Sequence, residues 1–250
     1  MTEARIAHIA QQFWDAAGGP GPFPRNLEAP VLWTLPLIVA KLPRLWVRDA
    51  AEWFDRRSVP FSDGGPDRLL HGCLVAYGGR GCVLLDGADP PDELRFSLAH
   101  EVAHFLLDYH EPRQTAIRRL GGSILEVFDG VRPPTVTERV HGVLSDVTLG
   151  AHLHLMERQP DGTLGCGDIA GAEGRSDQLA LELLAPAAAV ARRVAFAGRP
   201  ASFAASEQQV AVVLVEAFGL PQPVAAPYAR WLARGWWGGP SVREWLGLAT

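Results

Sequence analysis

"LLHGCLVAYGGRGCVLLDGADPPDELRFSLAHEVAH" (residues 69–104) changes its pattern midway. Its first half holds two apolar runs, 69–77 and 81–87, on either side of Gly78-Gly79-Arg80-Gly81. Two runs of strand length around a glycine-rich turn predict a β-hairpin. Asp89-Pro90-Pro91-Asp92-Glu93 follows. A possible aspartate cap, proline in the first turn and acids behind it mark a helix start. The predicted helix carries Leu94 to about Tyr109, and Pro112 is expected to stop it. Hairpin followed by apolar helix predicts an α+β fold. In it a small antiparallel or mixed sheet packs on that helix, with helical additions at both ends.

Those additions are read from helical periodicity. Ile6, Ile9, Ala10, Phe13 and Trp14 share a face, which predicts a helix over residues 3–16. Helices are also expected between Leu27 and Arg57, for instance around Val47–Arg56. The segment 137–158 is apolar and long enough for a helix despite Gly142 and Gly150. A glycine-rich loop follows at 159–174, then a compact helix from Gly174 to Leu184 ended by Pro186. Residues 206–218 open with a Ser206/Gln209 capping-box pattern, and 224–234 gives a last helix. The expected organisation is an N-terminal helical segment (1–68), a core (69–186) with an insert (111–172), and a helix-turn-helix-like C-terminal region (187–250).

The chain has 250 residues, 48% hydrophobic and 20% charged, with a formal net charge of −5. The acidic total gives no support to direct nucleic-acid binding. The longest apolar run, Val31 to Ala40, is interrupted by Pro36 and falls well short of the ~20 residues of a membrane helix. Residues 1–18 carry acid and lack an apolar core, unlike a signal peptide. Three cysteines do not make a disulfide framework. These features together predict a cytoplasmic protein without a membrane partner.

The second half of the opening stretch carries chemistry. His100-Glu101-Val102-Ala103-His104 is an H-E-x-x-H. On a helix His100 and His104 lie about 40° apart around the axis, so both imidazoles can reach one zinc ion. Glu101 lies about 100° round from His100, where it can take a proton from an attacking water. His110, six residues after His104, has the spacing of a third histidine ligand in metzincins, but that pattern needs a glycine where this chain has Leu107. If the helix continues, His110 faces about 240° away from His104. A more distant pair is Glu173 and Asp177, four apart in EGRSDQLALELLAP (173–186). The glutamate could reach a metal while the aspartate holds a ligand histidine; the pair could equally be an acidic helix N-terminus. Tyr109, His141, His152 and His154 are candidates to stabilise an oxyanion. If 152–154 is helical, His152 and His154 diverge by about 160° and at most one faces the site. Cys166 could approach the metal or be an idle loop cysteine.

Two blocks, RFSLAHEVAHFLL (95–107) and EGRSDQLALELLAP (173–186), resemble the ImmA/IrrE metallopeptidase family. They cover about a tenth of the chain. The resemblance implies a gluzincin-like zinc endopeptidase, with His100, His104 and Glu173 as zinc ligands and Glu101 as general base. Asp177 stands where the family usually has asparagine, Ser176 where it has alanine, Leu179 where it has phenylalanine, and Ala185 where it has methionine. His104 and Glu173 lie 69 positions apart, longer than in compact members. The implied substrate is an intracellular protein such as a helix-turn-helix transcriptional repressor, often in a stress response. An extended substrate could add to an edge at strand 81–86, or that strand could be paired within the sheet. Two rivals stand beside the peptidase. One is a non-catalytic module that binds a repressor or DNA. The other is a structural zinc site, which would call for cysteines.

Overall fold

The computed structural model describes residues 3–129, 131–144, 152–159, 164, 172–195 and 202–238. The elements run α1 (Glu3–Ala16), α2 (Glu28–Thr34), β1 (Leu37–Leu42), α3 (Val47–Asp55), β2 (Leu70–Tyr77), β3 (Arg80–Asp86) and α4 (Pro91–His104). A π-helical turn, Phe105–His110, leads into α5 (Glu111–Leu120), α6 (Ile124–Phe128), α7 (Val136–Leu144) and β4 (His152–Glu157). Then come α8 (Ala172–Leu184), α9 (Ala187–Ala195), α10 (Phe203–Phe218) and α11 (Gln222–Trp237). This is an α+β fold. By contacts the chain divides into Leu27–Arg158 and a second unit of Met1–Asn26 with Gln159–Thr250. The three-part organisation expected from sequence places its boundaries elsewhere, after residues 68 and 186.

In the first unit the sheet order is β1-β3-β2-β4. β2 and β3 form the expected hairpin, closed by Gly78 and Gly79 at φ +57° and +79°. Two positive-φ positions in a two-residue turn match strand twist and suit glycine. β1 joins β3 in parallel, with Leu37 opposite Gly81. The strand 81–86 is therefore interior, with a partner on each side, and offers no free edge. β4 pairs antiparallel to β2, with His154 opposite Leu74 and His152 opposite Ala76.

Alternation along each strand separates two faces. Cys73, Val75, Cys82 and Leu84 pack with Leu45, Val47, Ala50 and Phe54 around α3, and Leu153 and Leu155 join them. The other face carries Gly72, Leu74, Val83 and Leu85 toward α4, which crosses β2, β3 and β4. With both faces covered, β2 and β3 are apolar along nearly their whole length.

Three expectations change here. β1 lies where only helices were expected, because Pro36 favours extension before it and Leu-Ile-Val suits a pleated surface. The helix expected at 137–158 is α7 followed by β4. His-Leu-His-Leu alternates with period two, and β2 offers it a partner edge. Pro112 does not stop the helical path. The turn before it widens to a π-helix, and Pro112 sits in the first turn of α5, where a missing N–H costs least.

In the second unit α1 packs on α8, and α10 packs on α9 and α11. Ser202 caps α10 by accepting from the Ala205 N–H at 3.1 Å, four residues before the expected Ser206. Gly219 ends α10 in the left-handed region (φ +65°), returning Leu220 N–H to Leu214 O at 3.1 Å. The expected helical pair is thus present, and Arg230 on α11 is paired with Glu207 at 2.7 Å.

Candidate metal centre

α4 is buried all round from Phe96 to His104, which explains its lack of a polar stripe. His100 and His104 lie one turn apart on it, each 3% exposed, with their Nε2 atoms 3.1 Å apart. Their ring planes meet at 61°. Nitrogens each 2.0–2.1 Å from one tetrahedral ion stand about 3.3 Å apart, so the pair is spaced for a shared zinc. Asp108 Oδ2 lies 2.7 Å from His104 Nδ1. A carboxylate there accepts the Nδ1 proton and leaves the Nε2 lone pair facing His100. Asp108 escaped the reading of the sequence, although its four-residue spacing from His104 was a usable signal.

Glu101 is fully buried. One oxygen, Oε2, lies 2.9 Å from His154 Nδ1. The other, Oε1, has no hydrogen-bond partner. It lies over Gly72 on β2, where an added Cβ would stand 2.9 Å from it. Glycine at 72 therefore makes room for this carboxylate. A buried oxygen without a donor beside two convergent imidazoles suits a base awaiting the proton of a bound water.

His152 and His154 belong to a strand, not a helix, so both point to the α4 face. This corrects the expectation that the two diverge. His100, His104 and His154 have nitrogens within 4.8 Å of one another, as do the ligand atoms of His104, Asp108 and His152. Proximity alone does not make His154 a ligand. Its ring stacks on His104 with centroids 3.6 Å apart and planes at 17°. An imidazole lone pair lies in the ring plane. An ion shared by two such nearly parallel, stacked rings would sit well out of the plane of at least one, a poor fit to in-plane imidazole coordination. His154 fits better as a proton partner of Glu101 or a donor to substrate. Burial lowers the pKa of His152, which favours a neutral ring.

The other candidates divide. Tyr109 is buried at the hairpin turn, where its hydroxyl accepts the Gly79 N–H at 2.8 Å; burial raises its pKa. His110 stacks loosely on Phe105 at 5.6 Å and belongs to none of the described clusters. Asp177 is buried on α8. Glu173 lies on α8 and His141 on α7, but both side chains fall outside the described residues, as does Cys166. Cys73 and Cys82 face α3, on the side of the sheet away from the histidines. They do not supply the thiolates a structural zinc site would use. Comparison with protein-family models, curated proteins and solved structures gives no match. Buried His, Asp and Glu groups that can hold a metal ion are what the fold presents.

Proposed function

We propose that this protein is a zinc-dependent endopeptidase of the cytoplasm. The observation that carries the reading is Glu101, buried beside the His100–His104 pair, held by His154 through one oxygen and unpartnered at the other. His100 and His104 would hold the zinc, Asp108 fixes the tautomer of His104, and the family resemblance supplies Glu173 as third ligand. Zinc bound there would supply a Lewis acid for the scissile carbonyl and lower the pKa of water. Glu101 takes the proton of the attacking water and delivers it to the leaving amine. His154 orients Glu101 and is placed to donate to the oxygen that gains charge.

The substrate is a protein segment in extended form, and a helix-turn-helix repressor is the class that the resemblance implies. β4 supports this, because it ends the sheet order and carries His152 and His154 next to the pair. A peptide adding to that outer edge would pass the base directly. Two free buried cysteines agree with a reducing compartment.

The test pairs metal content with cleavage of a co-expressed candidate repressor. Glu101→Gln is expected to keep zinc and lose cleavage by on the order of 10²–10⁴-fold. Undiminished cleavage would remove Glu101 from its role. Zinc loss in Glu173→Ala, with zinc retained in His110→Ala and His154→Gln, is the expected ligand pattern. Loss only in His110→Ala would overturn it. A wild type that binds the repressor and never cleaves it would favour the non-catalytic module.

A further inference from the structure

The unit containing Met1–Asn26 and Gln159–Thr250 holds a cavity of about 660 Å³. That volume is in the range of small-molecule sites. α1, the loop of residues 20–25, the end of α8 and the face of α9 line it. Its polar wall is Gln11, Arg25, Arg192 and Arg193, with a single acid, Glu182.

Arg25 is only 7% exposed. Its Nη1 donates to Leu183 O at 2.7 Å at the C-terminal end of α8, and its Nε has no partner. Its guanidinium lies over the rings of Trp14, at 5.0 Å, and Phe23, at 4.6 Å. Trp14 is itself buried, and its indole N–H also lacks a partner. Among the described residues none of the three arginines makes an ion pair with a carboxylate. Burial lowers the pKa of Arg25 and raises that of Glu182, outweighing the attraction between the two.

A buried guanidinium with an unpartnered Nε and two exposed arginines, facing one acid, form a costly arrangement of like charge. They form a good one around an anion, because a guanidinium matches the fork of a carboxylate or phosphate. Phe23, half-buried, adds flat apolar surface beside that charge, and Trp14 lies buried in the same wall. We propose that this cavity binds a small organic anion with a flat ring. Its phosphate or carboxylate meets Arg25, Arg192 and Arg193, and its ring lies against Phe23, close to the buried Trp14.

Calorimetric titration of the full chain tests this with AMP and indole-3-acetate as anionic ring-bearing probes. Adenosine and inorganic phosphate represent ring and charge alone. The indole N–H resonance of Trp14, identified by Trp14→Phe, reports on the cavity itself. At least one ring-bearing anion is expected to bind with Kd below about 1 mM and to move that resonance. Response to AMP marks a nucleotide-like source, and response to indole-3-acetate an aromatic acid. Arg192 and Arg193 are exposed, so Arg192→Gln/Arg193→Gln is expected to fold normally and to weaken binding at least about tenfold. Arg25→Lys, which keeps charge but loses the fork, is expected to do the same. No binding of either anion by about 10 mM, or full affinity in both variants, would overturn the proposal. Adenosine binding as tightly as AMP would overturn the role of the charge. Phosphate binding as tightly as AMP would overturn the role of the ring.

Discussion

Gly72 and Glu101 show how closely one site can depend on a missing side chain. An alanine Cβ at 72 would stand 2.9 Å from Glu101 Oε1 and 3.2 Å from its Cγ. The carboxylate would have to turn, and a base misplaced by about 1 Å can cost on the order of 10² in rate. Gly72→Ala is therefore expected to lower cleavage by roughly tenfold or more while zinc content stays that of wild type. Equal cleavage rates would show that Glu101 does not work from this position. Asp108 acts differently, through His104. Asp108→Asn can no longer accept the Nδ1 proton as a charged partner, so zinc affinity is expected to fall roughly 10–100-fold. Competition with a chelator measures it, and unchanged affinity would detach Asp108 from the centre.

Elements decide how those residues meet. β4 is followed by Arg158, whose Nη2 donates to Asp86 Oδ2 at 2.7 Å and to Asp89 Oδ1. Asp89 Oδ2 also accepts from His71 Nδ1 at 2.8 Å. β2, β4 and the β3–α4 connection are thereby tied at one end of the sheet. Arg158→Ala would leave Asp86 and Asp89 buried without their cation, at about 3–5 kcal/mol. Urea unfolding measures this, and a change under 1 kcal/mol would sink it. Burial pushes the Asp89 carboxyl up, but the His71 and Arg158 hydrogen bonds outweigh it and hold its pKa below the usual value. A carboxyl so depressed contributes stability above its unfolded value of about 3.9, and loses it as pH falls through the lower folded value. Removing Arg158 raises the folded value, so acid unfolding of the variant is expected to begin at higher pH. Circular dichroism against pH checks the direction, and coincident acid transitions would contradict it.

The same elements explain what could be read from sequence. The hairpin, α1, α4 and the helical pair α10–α11 declare themselves locally, through glycine turns, proline at a helix start and apolar periodicity. β1 and β4 do not. His-Leu-His-Leu becomes a strand only because β2 has an edge for it, and that pairing is long-range. On a single helix over 137–158, His152 and His154 would diverge; as a strand they share a face, which brings His154 to Glu101. His100, Glu101 and His104 were legible because four-residue spacing on a helix is local geometry. The three arginines around the 660 Å³ cavity were not, because they come from segments about 167 positions apart.

At the scale of the whole chain, 250 residues fold as two units by contacts, and no described helix is long and apolar enough to cross a membrane. A metal that binds only the folded site must stabilise it by mass action. At a free zinc concentration a hundred times the dissociation constant, the gain is about 2.7 kcal/mol. Calorimetry of the full chain is therefore expected to show a transition that rises with zinc and falls with a chelator. His100→Ala and His104→Ala each remove one proposed ligand, and neither residue lines the cavity, so both should melt without regard to zinc. If AMP or indole-3-acetate binds, it should raise stability in those same variants as much as in wild type, because the arginines remain. Zinc-independent melting of the wild type would remove the metal centre, whereas anion-independent melting would remove only the cavity's role. The two readings can therefore fail separately.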